Sequence, residues 1–151
     1  MDKIDKTIIE LLRENARIAN SDIAKHLGMA PSAIWERIKK LEDNNVIQRY
    51  CAIINPISVD LNILAYVTIS VNSANWSDTL AMQLQEINRV EELHEVIGED
   101  SYLIKVRVKD MEELSEVLKN KIGVIPEISA TKTVIAVKSL KEDAPYQLTK
   151  V

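Results

Sequence analysis

NSDIAKHLGMAPSAIWERIKKL, residues 20–41, reads as two short helices joined by a tight turn. Ile23, Ala24 and Leu27 recur at helical spacing and give the first helix an apolar stripe. Asn20 or Ser21 is expected to cap its start, with Asp22 in the first turn, where the helix dipole favours an anion. Gly28 follows at once, where a helix end wants a residue tolerant of positive φ. Pro31 restarts the chain, since a first helical position needs no amide donor. The second helix, 31–42, turns Ile34, Ile38 and Leu41 inward and leaves Ser32, Ala33, Trp35, Glu36, Arg37, Lys39 and Lys40 on its other faces. Two helices about a short turn containing glycine make a helix-turn-helix, whose second helix fits the major groove of DNA. A plain helical hairpin with a solvated face is the rival reading of the same pattern.

Upstream, residues 3–15 predict a helix with Ile4, Ile8, Leu11 and Leu12 on one face and Asp2 and Asp5 at its N-terminal end. It completes a three-helix core. Downstream, Asn44-Asn45 ends the second helix of the pair, and 46–54 is expected to be a strand or wing leading out of the module. Asn55-Pro56 signals a turn. The expected organisation is a DNA-binding domain over 1–50, a linker over 51–61, an effector-binding and oligomerisation domain over 62–140, and a tail over 141–151.

Beyond residue 61 the composition changes. Residues 64–71 are a β-branched run, strongly strand-like, and 76–87 reads as a helix with Leu80, Leu84 and Ile87 on one side. Two alternating strands, 91–97 and 102–108, flank Gly98-Glu99-Asp100-Ser101 and predict an antiparallel hairpin. Asp110 is placed to cap a helix over 111–122, with Leu114, Val117, Leu118 and Ile122 as its apolar residues. A last strand is expected over 128–140, then a polar tail with Pro145 that could drape over the body. The order β-α-β-β-α-β is that of a ferredoxin-like sandwich, a four-stranded antiparallel sheet with two helices on one face. The fold class is therefore α+β. Ala65-Tyr66-Val67-Thr68-Ile69 offers apolar residues to both sides of the sheet, so pairing of two sheets in a dimer is the natural way to cover the open face.

Composition narrows the function classes. With 46% hydrophobic and 28% charged residues the chain has the make-up of a folded globular protein. It lacks any run of about 18 apolar residues that would span a membrane. Met1-Asp2-Lys3 leads straight into a charged amphipathic helix without a secretory core, so a cytoplasmic protein is expected. Cys51 is the only cysteine, which excludes an intrachain disulfide, and within the apolar run 50–54 it is expected to be a buried small apolar residue rather than a nucleophile. The net charge is −4, yet residues 1–50 carry +1 and residues 51–151 carry −5, a split suited to a nucleic-acid module joined to something else. With two histidines, no Gly-rich phosphate loop and no paired catalytic signature, neither an enzyme nor a cofactor is implied. His94, among Glu91, Glu92 and Glu95, reads as a solvent-facing strand residue before a metal ligand.

A helix-turn-helix followed by βαββαβ resembles the leucine-responsive regulatory protein/AsnC family, the feast/famine transcription regulators. The carriers are Asp2, Asp5, Ile8, Ile9 and Leu12, then Asn15-Ala16-Arg17, Ile23-Ala24, Leu27-Gly28, the run from Glu36 to Glu42, and Val46-Ile47 with Tyr50. In the second half they are Gly98, Tyr102-Leu103, Asp110-Met111, Ile125-Pro126 and Thr131-Lys132-Thr133. The resemblance covers nearly the whole chain. It implies a winged helix-turn-helix tethered to a RAM (regulation of amino-acid metabolism) domain, dimers that assemble further to octamers, and a free amino acid held between subunits. Two positions depart from the family. Ala30 stands where the family usually has a capping serine, a loss of about 1 kcal/mol to the helix start unless Ser32 or another group substitutes. The family's Gly-Asp-x-Asp turn here reads Gly98-Glu99-Asp100-Ser101, with the second acid replaced.

The candidate DNA contacts are Ser32, Ala33, Trp35, Glu36, Arg37, Lys39, Lys40 and Arg49, with Lys25 and His26 nearby. Lysines typically hold phosphates, arginine does so or reads guanine, and Glu36 is suited to accept from a cytosine amine. Core packing beside Ile34 competes with exposure for Trp35, and an internal ion pair or a contact to the first helix competes with DNA for Arg37. The candidate effector residues are Gly98, Glu99, Asp100, Ser101, Tyr102, Thr131 and Thr133, on the ground that an amino acid needs a carboxylate near its ammonium and donors near its own carboxylate. A solvated hairpin turn is the plainer account of the same Gly-Asp pattern. An architectural DNA protein without a small-molecule effector is the alternative to a sequence-specific regulator, and a stand-alone amino-acid sensor is a third.

Overall fold

In the computed structural model, residues 1–72 and 78–142 are described. They divide into two compact units, one built on residues 1–53 and the other on 54–140. No helix among them is long and apolar enough to cross a membrane.

The first unit is three helices, α1 (Lys3–Glu14), α2 (Asn20–Leu27) and α3 (Pro31–Asp43). Their apolar stripes meet in a core where Ile8, Ile23 and Ile34 are fully buried and Leu12, Ala24, Ile38 and Leu41 nearly so. A reciprocal capping box starts α1. The Asp5 amide donates to Asp2 Oδ1 at 2.8 Å and the Asp2 amide donates to Asp5 Oδ2 at 2.9 Å. The expected cap of α2 is corrected: the capping position is Ala19, which bonds through no side chain, and Asn20 is already the first helical residue. Gly28 ends α2 at φ 65°, its amide reaching the carbonyls of Ala24 and Lys25. Ala30 precedes α3 with no side-chain cap, so Ser32 does not substitute for the missing serine, and Pro31 opens the helix as predicted.

The strand or wing expected over 46–54 is also corrected. The segment forms no strand among the described residues, because a strand needs a partner and none is paired with it there. Instead Val46, Tyr50, Ile53 and Ile54 are exposed, and so is Cys51, whose expected burial is corrected because the run 50–54 packs into no core. Asn55 then accepts from the Ile57 amide and opens a single 3-10 turn, Pro56–Val59.

The second unit is β1 (Ile63–Val71), α4 (Asp78–Gln85), β2 (Val90–Glu95), β3 (Tyr102–Val108), α5 (Met111–Glu116) and β4 (Ile128–Ile135). The sheet order is β2-β3-β1-β4 with every neighbour antiparallel, the predicted ferredoxin-like arrangement. Ala65, Val67 and Ile69 pair with Val106, Ile104 and Tyr102 on the face that packs against Leu80 and Leu84 of α4 and Leu114 of α5. The predicted helix start at 76–77 lies outside the described residues, as does the tail beyond 142. The larger differences from expectation concern α5, β2 and β4. The helix over 111–122 widens to a π-helix after Glu116, where the Gly123 amide bonds back to Leu118 O. β2 runs Val90–Glu95 rather than 91–97, with a register shift between Val90 and Glu92. β4 stops at Ile135 because its partner runs out: the Ala136 amide still reaches Leu64 O, one residue from the end of β1.

Candidate nucleic-acid interface and ligand site

Burying Ile34, Ile38 and Leu41 forces the opposite side of α3 outward. Ser32, Glu36, Lys39, Lys40 and Asp43 are all exposed there, at the three- and four-residue steps of one helical face. Trp35 flanks this stripe at 54% exposure, so it is not a core residue. The Lys39 ammonium lies 5.1 Å from its ring centroid, a cation–π distance that holds the charge over the surface. Ala33 is half-buried. Arg37 is turned off the stripe toward α1 and bonds Asp2 at 2.9 Å and Asp5 at 2.6 Å. Hydrogen bonds to Asp5 and then Asp2 raise the guanidinium pKa further. Lys25 pairs with Asp22 at 3.2 Å, and Arg49 is exposed on the extended segment.

Sequence reasoning missed one neighbour of the stripe. The Tyr50 hydroxyl donates to Glu42 at 2.8 Å, and partial desolvation of this otherwise exposed side chain, together with that carboxylate, pushes the phenol up to about 12. With Trp35 and Lys39 it lines an open groove of about 460 Å³. The signal available was an aromatic residue just beyond the end of a helix bearing an acid.

In the second unit the turn residues do not act alike. Gly98 and Glu99 are exposed, whereas Ser101 and Tyr102 are buried. Ser101 ties the turn to β1 through its amide, which donates to Ile69 O at 2.8 Å. Asp100 is the chemically distinctive member. It accepts from Ser70 Oγ at 2.7 Å, and hydrogen bonds from Ser70 and Thr68, aided by the Lys132 charge, hold its carboxyl below the usual carboxylate value. Thr131 and Thr133 are not brought to it. They are in register with Ile69 and Val67, on the helix-covered face, while Thr68, Ser70 and Lys132 share the open one. Thr68, Ser70 and Lys132 were therefore the hydroxyls and cation to look for. The alternation in 64–71, with Ala65, Val67 and Ile69 turned one way, carried that information for Thr68 and Ser70, whereas the place of Lys132 follows only from the register of β4.

Comparison with known proteins places each unit in a domain family. Residues 1–48 match the model of a winged helix-turn-helix DNA-binding domain, and residues 64–146 match the Lrp/AsnC ligand binding domain. The chain belongs to the Lrp/AsnC family. It is 36% identical over 142 residues to the HTH-type transcriptional regulator FL11 of Pyrococcus furiosus, covering 94% of this chain and 93% of that protein. It is 30% identical over 144 residues to the leucine-responsive regulatory protein of Escherichia coli, with 94% and 88% covered. Among solved structures, AsnC of E. coli is similar at a TM-score of 0.88 and 29% identity over 94% of this chain and 95% of that one. The feast or famine regulatory protein of M. tuberculosis, solved in complex with L-methionine, is similar at 0.89 and 29%, over 97% and 98%. Like its Lrp/AsnC relatives, the chain is a DNA-binding transcriptional regulator with a ligand-binding domain, and not an enzyme.

Proposed function

We propose that this Lrp/AsnC regulator reads specific DNA sites through α3, works in the cytoplasm as a homodimer or a larger assembly up to an octamer, and is modulated by a free amino acid bound between subunits. The observation that carries the reading is the outward stripe of α3, where Lys39 and Lys40 are exposed while Ile34, Ile38 and Leu41 are buried behind them. Lys39, Lys40 and Arg49 hold phosphates, and Ser32, Ala33, Trp35 and Glu36, toward the helix start, meet base edges. A reading head whose first fifty residues carry a net of only +1 must rely on a few placed cations, so doubling it by dimerisation suits it. The labour divides along the sequence, with DNA read by residues 1–50, a linker over 51–61 and ligand binding and assembly over 62–140.

For the effector, Asp100 is suited to take the ammonium group, since its neighbours keep it ionised, and the exposed backbone at Gly98 and Glu99 gives donors access. That the M. tuberculosis relative was solved with L-methionine supports an amino acid as the ligand class. Selection of bound genomic fragments, repeated with and without pooled amino acids, tests both parts. Enrichment of a common site, shifted by the pool, is expected. Binding without sequence preference would favour an architectural protein instead.

A further inference from the structure

Arg37 sits in the DNA-reading helix, yet its charge is committed elsewhere, and the way it is committed gives it a role. Asp2 and Asp5 each present two carboxylate oxygens. Asp2 Oδ1 and Asp5 Oδ2 are taken by the two backbone amides of the capping box. That reciprocal arrangement fixes both carboxyl groups and leaves one oxygen on each, Asp2 Oδ2 and Asp5 Oδ1. Arg37 Nη1 donates to both, at 2.9 and 2.6 Å. One guanidinium nitrogen thus closes a square whose other members are the first turn of α1. These bonds span 35 and 32 residues of sequence, and the Asp5 side chain is 15% exposed. Two carboxylates about one cation also leave a local excess of negative charge, which opposes a phosphate there.

Resting on the reading of α3 as the DNA-reading helix, we infer that Arg37 is a positioning residue for DNA recognition: it fixes the orientation of α3 against α1 and contributes no phosphate contact of its own. Base readout depends on that orientation because it needs several side chains at set positions. Lysine–phosphate contacts tolerate a small rotation of the helix. The inference therefore separates specific from non-specific binding.

The test uses the full-length protein, a selected genomic fragment, and a scrambled duplex of equal length, titrated across a salt series. Arg37→Ala is expected to lower the ratio of specific to non-specific affinity about tenfold, leaving the salt slope of non-specific binding at the parent value. Asp5→Asn is expected to give the same loss, although removing a negative charge would by itself favour a polyanion, and the double variant is expected to be no worse than either single one. A slope that falls by about one in Arg37→Ala would make Arg37 a phosphate ligand and overturn the inference. So would an Asp5→Asn variant that binds the selected fragment as tightly as the parent. If a variant merely unfolds in part, both affinities fall together and the ratio is unchanged, which also counts against positioning. Failure of the parent itself to prefer any fragment would instead refute α3 as the reading helix, and this inference with it.

Discussion

The two units treat positive charge in opposite ways. On α3 of the first, Lys39 and Lys40 are exposed, one of them held over an aromatic ring. On the open face of the second unit's sheet, Lys105 and Arg107 are buried and clamped by acids: Arg107 bonds Glu91 at 2.8 Å, and Lys105 pairs with Glu92 at 3.2 Å and Glu91 at 3.4 Å. All four are cations, but only the first pair is open to an outside phosphate. Counting charges by segment misses this, since the first fifty residues carry a net of only +1. What decides availability is whether an acid in the same chain has already claimed the cation. Arg37 shows that both treatments occur within one helix.

That contrast can be broken or sharpened by measurement. The largest expected effect comes from removing the support behind the exposed pair. Ile34→Ala, at a fully buried site, is expected to cost about 2–5 kcal/mol of stability in denaturant unfolding. A loss below about 1 kcal/mol would mean that α3 is not braced by this core. Next, replacing Lys39 and Lys40 with alanine is expected to weaken binding to every DNA sequence and reduce the salt slope by about two. The matching control, Lys105→Ala, should leave that slope alone, and an equal drop in both would erase the distinction. In the second unit, Asp110 accepts from the Glu113 amide at 2.9 Å at the start of α5, so Asp110→Ala is expected to cost about 1 kcal/mol by thermal unfolding.

The smallest effect is on pH. Asp2, Asp110 and Glu113 are held below their usual values chiefly by backbone amides, and Asp100 by Ser70. A lowered folded pKa gives stability that is complete above the unfolded value and is lost as pH falls through the folded one. Stability should therefore decline on acidification below the ordinary glutamate and aspartate values of 4.5 and 3.8, and a profile flat down to pH 2 would contradict it.

Elements governed by local periodicity were readable from the chain alone. Ile34, Ile38 and Leu41 announce the buried side of α3, and Ala65, Val67 and Ile69 that of β1, because burial repeats with the geometry of each element. Features that depend on a distant partner were not. Residues 46–54 have strand composition, but composition does not supply a neighbour. The placement of Thr131 and Thr133 away from Asp100 follows from the register of β4 on β1, which no local pattern states. The start of α2 at Asn20 escaped for a smaller reason: a good capping residue is also tolerated in a helix's first turn, so type alone leaves the boundary uncertain by one position.

One consequence of the sheet order concerns its rims. β4 is an outermost strand, and from Ser129 to Ile135 its side chains are all exposed, Val134 and Ile135 among them. A bare outer strand is a template on which further copies can stack without limit. Lys132, midway along it, puts a charge that must be desolvated in the path of any such growth. The side chain whose charge steadies Asp100 is thus also of the kind that disfavours edge-to-edge stacking of copies.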